Sequence, residues 1–245
     1  MRLSGVNPYQ KLINRKRTWT PVQTTAGKLK EGAEETIFRA LALRSLELPV
    51  GQFIVDALEK EVPETARKLL QMNVTDEENH DLALGYIARS HGVDGTSSSE
   101  KEARALTKAW EDHSDHTICK AMVLERSIFF VILPFFRFNG DAGLRTVSAD
   151  ISRDEQIHVA TNSLVCEELG LKPSKSLDKL RKATMSWILQ PLGTNTQDKY
   201  LDQKFWADSS DRLMYEGKAP GLSETRAARM PAFFEHNNVN LPKYA

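Results

Sequence analysis

Ile151-Ser152-Arg153-Asp154-Glu155-Gln156-Ile157-His158 decides the fold, because its Glu155-x-x-His158 has a counterpart upstream in Glu77-x-x-His80. On a helix, residues three apart share a face, so each pair can offer one carboxylate and one imidazole to a single metal ion. About one such spacing is expected by chance in a chain with this many glutamates and histidines. The weight of the two pairs therefore depends on where they fall among the surrounding helices.

From Lys28 onward good helix formers dominate, strand-like alternation is missing and turn signals arrive at helical intervals. The pattern predicts a long helix over residues 28–60, disturbed near Pro49 and Gly51. A second helix, opened by Pro63, reaches Ser90 and stops at Gly92. A short helix follows over 99–110. A third long helix over 115–138 ends at Asn139-Gly140, and a fourth over 141–169 is closed by Gly170. Further helices are expected over 177–190 and 197–216. Residues 1–27 read as an irregular arm, 28–170 as a bundle, and 171–245 as C-terminal helices and a short tail of the same single domain.

Glu47 and Glu77 lie about 14 residues either side of the first hairpin turn, and Glu125 and Glu155 about 14 either side of the second. Each antiparallel hairpin thus brings its two glutamates to one height. The spans from His80 to His91 and from Ser114 to Glu125 are each about 11 residues, with the short helix between them. That helix can carry the chain back along the bundle, which makes a four-helix bundle with a long crossover. Glu47, Glu77, His80, Glu125, Glu155 and His158 then meet near mid-height. This is the ligand set of ferritin-like dimetal carboxylate proteins: hard oxygens to bridge two cations, neutral imidazoles, and no thiolate. Glu47 and Glu125 interrupt apolar runs, where an unpaired carboxylate would be costly to bury. Glu34 and Glu35 compete with Glu47 on the first helix. His113 and His116 read as surface residues of the third helix near a bundle end.

Composition excludes several alternatives. The 245 residues carry 33 basic and 33 acidic side chains, so no net charge argues for nucleic acid or a membrane surface. Cys119 and Cys166 lack metal-type spacing and are expected as buried, reduced thiols. The longest apolar run, from Ile128 to Phe136, is too short to span a bilayer, and the N-terminus lacks the apolar core of a signal peptide. A cytoplasmic protein is the expectation.

Arg153-Asp154-Glu155-Gln156-Ile157-His158 resembles the Arg-Asp-Glu-x-x-His signature of the class I ribonucleotide reductase small subunit. The resemblance extends to Leu124-Glu125 followed by Phe129, to Glu47-Leu-Pro-Val-Gly, and to Pro63-Glu64 leading into Glu77-x-x-His80. It also takes in Trp19-Thr20-Pro21 near the start, and Gly217-Lys218, Phe233-Phe234-Glu235, Val239 and Tyr244 near the end. It implies an all-α, ferritin-like subunit of ribonucleoside-diphosphate reductase, homodimeric and active only with a large catalytic subunit. Two iron or manganese ions, activated by dioxygen or superoxide, would generate an oxidising equivalent for that partner. By position, Trp19 and Asp154 would form the route out beside His80, and Tyr244 would pass the hole on at the subunit boundary.

The chain departs from the family's pattern in three places. Many members carry a radical-storing tyrosine four residues after the first histidine, where this chain has Leu84; Tyr86 should face the other side of its helix. A metal-centred oxidising equivalent, on a manganese-iron or dimanganese centre, is the expectation, with di-iron and a different radical site as the alternative. The span from His80 to Glu125 is short for the family, and the chain ends at Ala245 without the usual docking tail. The competing expectations are an iron-storage ferritin and another ferritin-like dimetal oxidase.

Overall fold

In a computed structural model of the chain, the described residues are 7–60, 62–93, 95, 97–219 and 222. Among them the architecture is all-α and ferritin-like, with α1 (Pro8–Ile13), α2 (Glu34–Ala42), α3 (Glu47–Leu58), α4 (Glu64–Ser90), α5 (Ser98–Glu111), α6 (Thr117–Leu124), α7 (Phe130–Asn139), α8 (Ala142–Glu168), α9 (Lys175–Leu189) and α10 (Gln203–Glu216). The bundle has four arms: α2 with α3, then α4, then α6 with α7, then α8. Short turns join the hairpins α3/α4 and α7/α8, and α5 lies in the long connection between them. Across the bundle, α3 packs on α6 and α4 on α8. No helix of the described residues is long and apolar enough to cross a membrane.

Local chemistry sets the ends of these elements. Asp141 caps α8 by accepting from the Leu144 amide at 2.9 Å. At its other end Gly170 turns left-handed (φ +66°), and the Leu171 amide returns to the Cys166 carbonyl. Ser97 and Glu100 form a reciprocal capping box on α5.

Several expected boundaries move. The first arm becomes helical at Glu34, and its break comes before Pro49 as a 3-10 turn over Leu43–Leu46. Proline has no N–H for the carbonyl four residues back, so the helix restarts at Glu47 and Pro49 falls in a first turn, where that donor is not needed. The expected irregular arm contains α1, where Asn7 accepts from the Tyr9 amide and Pro8 opens the first turn. The third arm starts at Thr117, so His113 and His116 precede it and are half-buried; His116 caps it by accepting from the Ile118 amide. That arm also contains a π-helical turn over Glu125–Phe129, which no sequence signal marked. Residues 197–202 form a turn with a 3-10 segment, because Asp198 and then Asp202 cap successive short starts. Cys119 and Cys166 are buried and free, with their sulfurs 3.8 Å apart between α6 and α8.

The C-terminal helices brace the bundle. Ser210 of α10 donates to the Ser127 carbonyl inside the π turn at 2.6 Å, and Arg126 donates to the Leu213 carbonyl. Arg181 of α9, 1% exposed, donates to Asp178, Ser210 and Asp211. Truncation by Arg181→Ala leaves Ser210 and two carboxylates without this partner. The expected loss is about 1–3 kcal/mol, below that of a fully buried pair because Asp211 and Asp178 reach water, and it reads as a lower urea midpoint.

Candidate metal centre

Each side chain of the six-residue set reaches the bundle interior from a different part of a helix. Glu47 is the first residue of α3, Glu77 and His80 lie three apart on α4, Glu125 opens the π turn, and Glu155 and His158 lie three apart on α8. All six are 0–1% exposed. Gly51 of α3 lies against Glu77, so the two helices meet closely there: a Cβ at Gly51 would stand 3.5 Å from the Glu77 Cβ. The π turn marks the place where Glu125 enters the site, as such turns often do at functional positions.

His80 Nδ1 stands 3.4 Å from Glu77 Oε2, 3.4 Å from Glu155 Oε1 and 3.8 Å from Glu47 Oε2. His158 Nδ1 stands 2.8 Å from Glu77 Oε1, 3.7 Å from Glu125 Oε1 and 3.8 Å from Glu155 Oε1. The imidazole centroids are 5.6 Å apart. Two overlapping groups of donor atoms result, each within 4.8 Å: Glu47, Glu77, His80 and Glu155, and Glu77, Glu125 and His158. Glu77 belongs to both and faces one histidine with each oxygen.

The cluster suits two cations by the test of its unmet polar groups. Both oxygens of Glu47, Glu77 and Glu155, Oε1 of Glu125 and Nδ1 of both histidines are buried without a well-directed hydrogen bond, Glu77 Oε1 and His158 Nδ1 meeting only as an ion pair. Each such group costs about 1–3 kcal/mol, and more when charged, so nine-tenths of a protein's buried polar atoms are paired. The orphaned atoms point at one another from four helices, while the outward nitrogens are all engaged. Glu125 Oε2 accepts from Asn162 at 2.7 Å. His158 Nε2 lies 2.9 Å from Asp76 Oδ2, and His80 Nε2 lies 3.3 Å from Asp154 Oδ2. Inner nitrogen free, outer nitrogen on a carboxylate, is how metal-ligating histidines are held. Oxygen-rich donors with two imidazoles and no thiolate fit iron or manganese.

Without ions, the electrostatics hold protons in the site. Burial pushes the Glu47 and Glu125 carboxyls well above their usual range, with neighbouring carboxylates adding to it, and Glu155 moves the same way. Glu77 goes down: burial would raise it, but the two imidazoles outweigh that. Burial pulls at His158, yet Glu77 and Asp76 bring it up to about 10; His80 rises well above its normal value against burial through Asp154, Glu155, Glu47 and Glu77. Two divalent cations would replace those protons. Loading is therefore expected to release protons and to weaken as pH falls below about 10, where His158 takes up its proton. Calorimetry in buffers of different ionisation enthalpy measures the release; binding without net proton release would contradict the arrangement.

The remaining sequence candidates fall as follows. Trp19, half-buried, stacks on His80 with centroids 6.2 Å apart and an interplanar angle of 20°. Its Nε1 donates to Asp154 Oδ2 at 2.7 Å, so indole, carboxylate and imidazole form one chain. Tyr244, with Phe233, Phe234, Glu235 and Val239, lies outside the described residues. Glu34 and Glu35 stay in the outer first turn of α2, one accepting from the Gly32 amide and the other paired with Arg39. Leu84 is buried, and Tyr86 lies under the Arg89 guanidinium at 5.1 Å. Asp76, Lys16 and Asn162 were not foreseen. Asp76 sits in the run Asp76-Glu77-Glu78, where spacing alone does not say which acid backs a histidine on another helix.

No protein-family model matches the sequence, and no curated protein is similar to it at the sequence level. The fold does have a solved counterpart: the crystal structure of a "putative class I ribonucleotide reductase from Bacillus halodurans" superposes with a TM-score of 0.62 at 16% identity, over 90% of this chain and 97% of that one. At that identity the likeness establishes a shared fold. The candidate centre rests on the side chains themselves.

Proposed function

We propose that this chain is the radical-generating small subunit of a class I ribonucleotide reductase. The observation that carries the reading is the continuous path from the buried carboxylate-histidine cluster through His80 and Asp154 to Trp19. A storage or purely structural bundle has no use for an indole hydrogen-bonded to a ligand's outer partner. Glu47, Glu77, His80 and Glu155 would hold one ion, and Glu77, Glu125 and His158 the other. Two iron or manganese ions, when bound, supply a one-electron oxidant after reaction with dioxygen or superoxide.

The chain's own residues then determine where the oxidising equivalent goes. The buried cluster keeps bulk water from the ligands, and His80 is held in orientation by Asp154. An electron withdrawn from Trp19 makes its Nε1 proton acidic, and Asp154 Oδ2, already accepting that hydrogen bond, is placed to take it. Leu84 offers nothing oxidisable four residues after His80, and Tyr86 is occupied by Arg89. The oxidising equivalent is accordingly metal-centred. The large catalytic subunit is the recipient, and the small subunit is expected as a dimer, which light scattering separates from a ferritin shell.

Metal quantitation paired with electron paramagnetic resonance, after loading with iron, manganese or both and exposure to dioxygen or superoxide, tests this. A metal-centred signal that is lost on mixing with the large subunit and substrate is expected. A stable tyrosyl signal with iron alone would refute the metal-centred part; failure to retain any ion would refute the whole.

A further inference from the structure

His158 has an outer partner of its own, and it differs from that of His80. Asp76 Oδ2 lies 2.9 Å from His158 Nε2 and also takes an ion pair from the Lys16 ammonium, whose side chain is only 6% exposed. Lys16 comes from the segment just after α1, a helix pinned to the bundle by Leu12 in the core and by the Tyr9 hydroxyl, which donates to Glu168 at 2.8 Å. Three residues further on, Trp19 engages Asp154 behind His80. One short stretch of chain thus reaches the carboxylates behind both imidazoles.

The two arrangements are chemically unequal. Asp154 receives a neutral indole N–H behind His80. Asp76 faces a cation, which offsets its negative charge behind His158. A carboxylate accepting from Nε2–H fixes the tautomer, leaving Nδ1 for an ion, and raises the imidazole's basicity as a ligand; a neighbouring ammonium moderates the second effect and retains the first.

We propose that Asp76, held by Lys16, is the positioning residue of the His158 half of the centre, so that the segment after α1 sets the affinity of one ion of the pair. This rests on the dimetal reading above. It predicts a site-selective defect, which a salt bridge serving only to anchor α1 would not produce.

The test is titration of the full, metal-stripped chain with manganese(II) alone, free ion being read by electron paramagnetic resonance. Wild type should bind two ions. Asp76→Ala should keep one at the wild-type constant and weaken the other about 10–100-fold, the usual effect of losing such a partner. Lys16→Met should weaken the same ion by less, and Tyr9→Phe, which loosens α1 without touching the pair, should leave both constants unchanged. In the zinc-loaded wild type, long-range proton-nitrogen correlation should show His158 protonated at Nε2. Equal weakening of both ions in Asp76→Ala, or no change in either variant, would overturn the proposal while leaving the dimetal reading intact; a His158 protonated at Nδ1 would overturn both. A wild type that binds no manganese would overturn both.

Discussion

Glu77→Gln is expected to lower the affinity for both ions by more than about 100-fold, since even the loss of a partner outside the ligand shell usually costs 10–100-fold. Glu77 is the one residue shared by the two donor groups, with Oε1 2.8 Å from His158 Nδ1 and Oε2 3.4 Å from His80 Nδ1. It is also the only one of the four glutamates whose carboxyl is shifted down, because the two imidazoles favour its anion by more than burial disfavours it. A glutamine keeps the shape and one carbonyl oxygen but loses the charge and presents an N–H₂ toward one imidazole. Equilibrium dialysis against manganese(II) measures the effect. If the variant retained one ion at the wild-type constant, Glu77 would belong to a single site and the shared geometry would be wrong.

Glu47→Leu is expected to change stability in opposite directions with and without metal. Glu47 is fully buried with neither oxygen hydrogen-bonded, and burial together with Glu77 and Glu155 pushes its carboxyl toward the protonated form. Replacing it by an apolar side chain of similar size should stabilise the metal-free chain by about 1–3 kcal/mol. For a chain of this length each kcal/mol raises Tm by about 2–4 °C. With manganese at about 1,000 times Kd the wild type gains about 4.1 kcal/mol, whereas the variant lacks a ligand and gains little, so the order of stability should reverse. Thermal unfolding with and without metal gives the comparison. A variant less stable than wild type in both conditions would mean that Glu47 is satisfied by the protein itself.

The parts of this structure legible in the sequence are those fixed by short-range periodicity. The two Glu-x-x-His pairs could be read because three residues is nearly one helical turn, and the equal arms about each hairpin brought Glu47 and Glu125 to the same height. The apolar neighbours of those glutamates gave their burial. Boundaries set by the competition for backbone hydrogen bonds were harder. Pro49 and Gly51 point to a disturbance in their own neighbourhood, whereas the missing donor of Pro49 puts the break at Leu43–Leu46. The π turn at Glu125 is braced by Ser210 of α10, which donates to the Ser127 carbonyl, a contact across 83 residues that no local pattern encodes. Asp76 and Lys16 escaped for the same reason: their function is defined by a histidine on α8, and in sequence each is one charged residue among several.

Six side chains from four arms of the bundle would surround two cations. Anomalous diffraction from crystals soaked in manganese(II) tests this most directly. Two peaks per chain are predicted inside the bundle, one within coordination distance of His80 Nδ1 and Glu47, the other of His158 Nδ1 and Glu125, with Glu77 contacting both. Peaks confined to the surface, or a single ion with Glu47 or Glu125 turned away from it, would contradict the account.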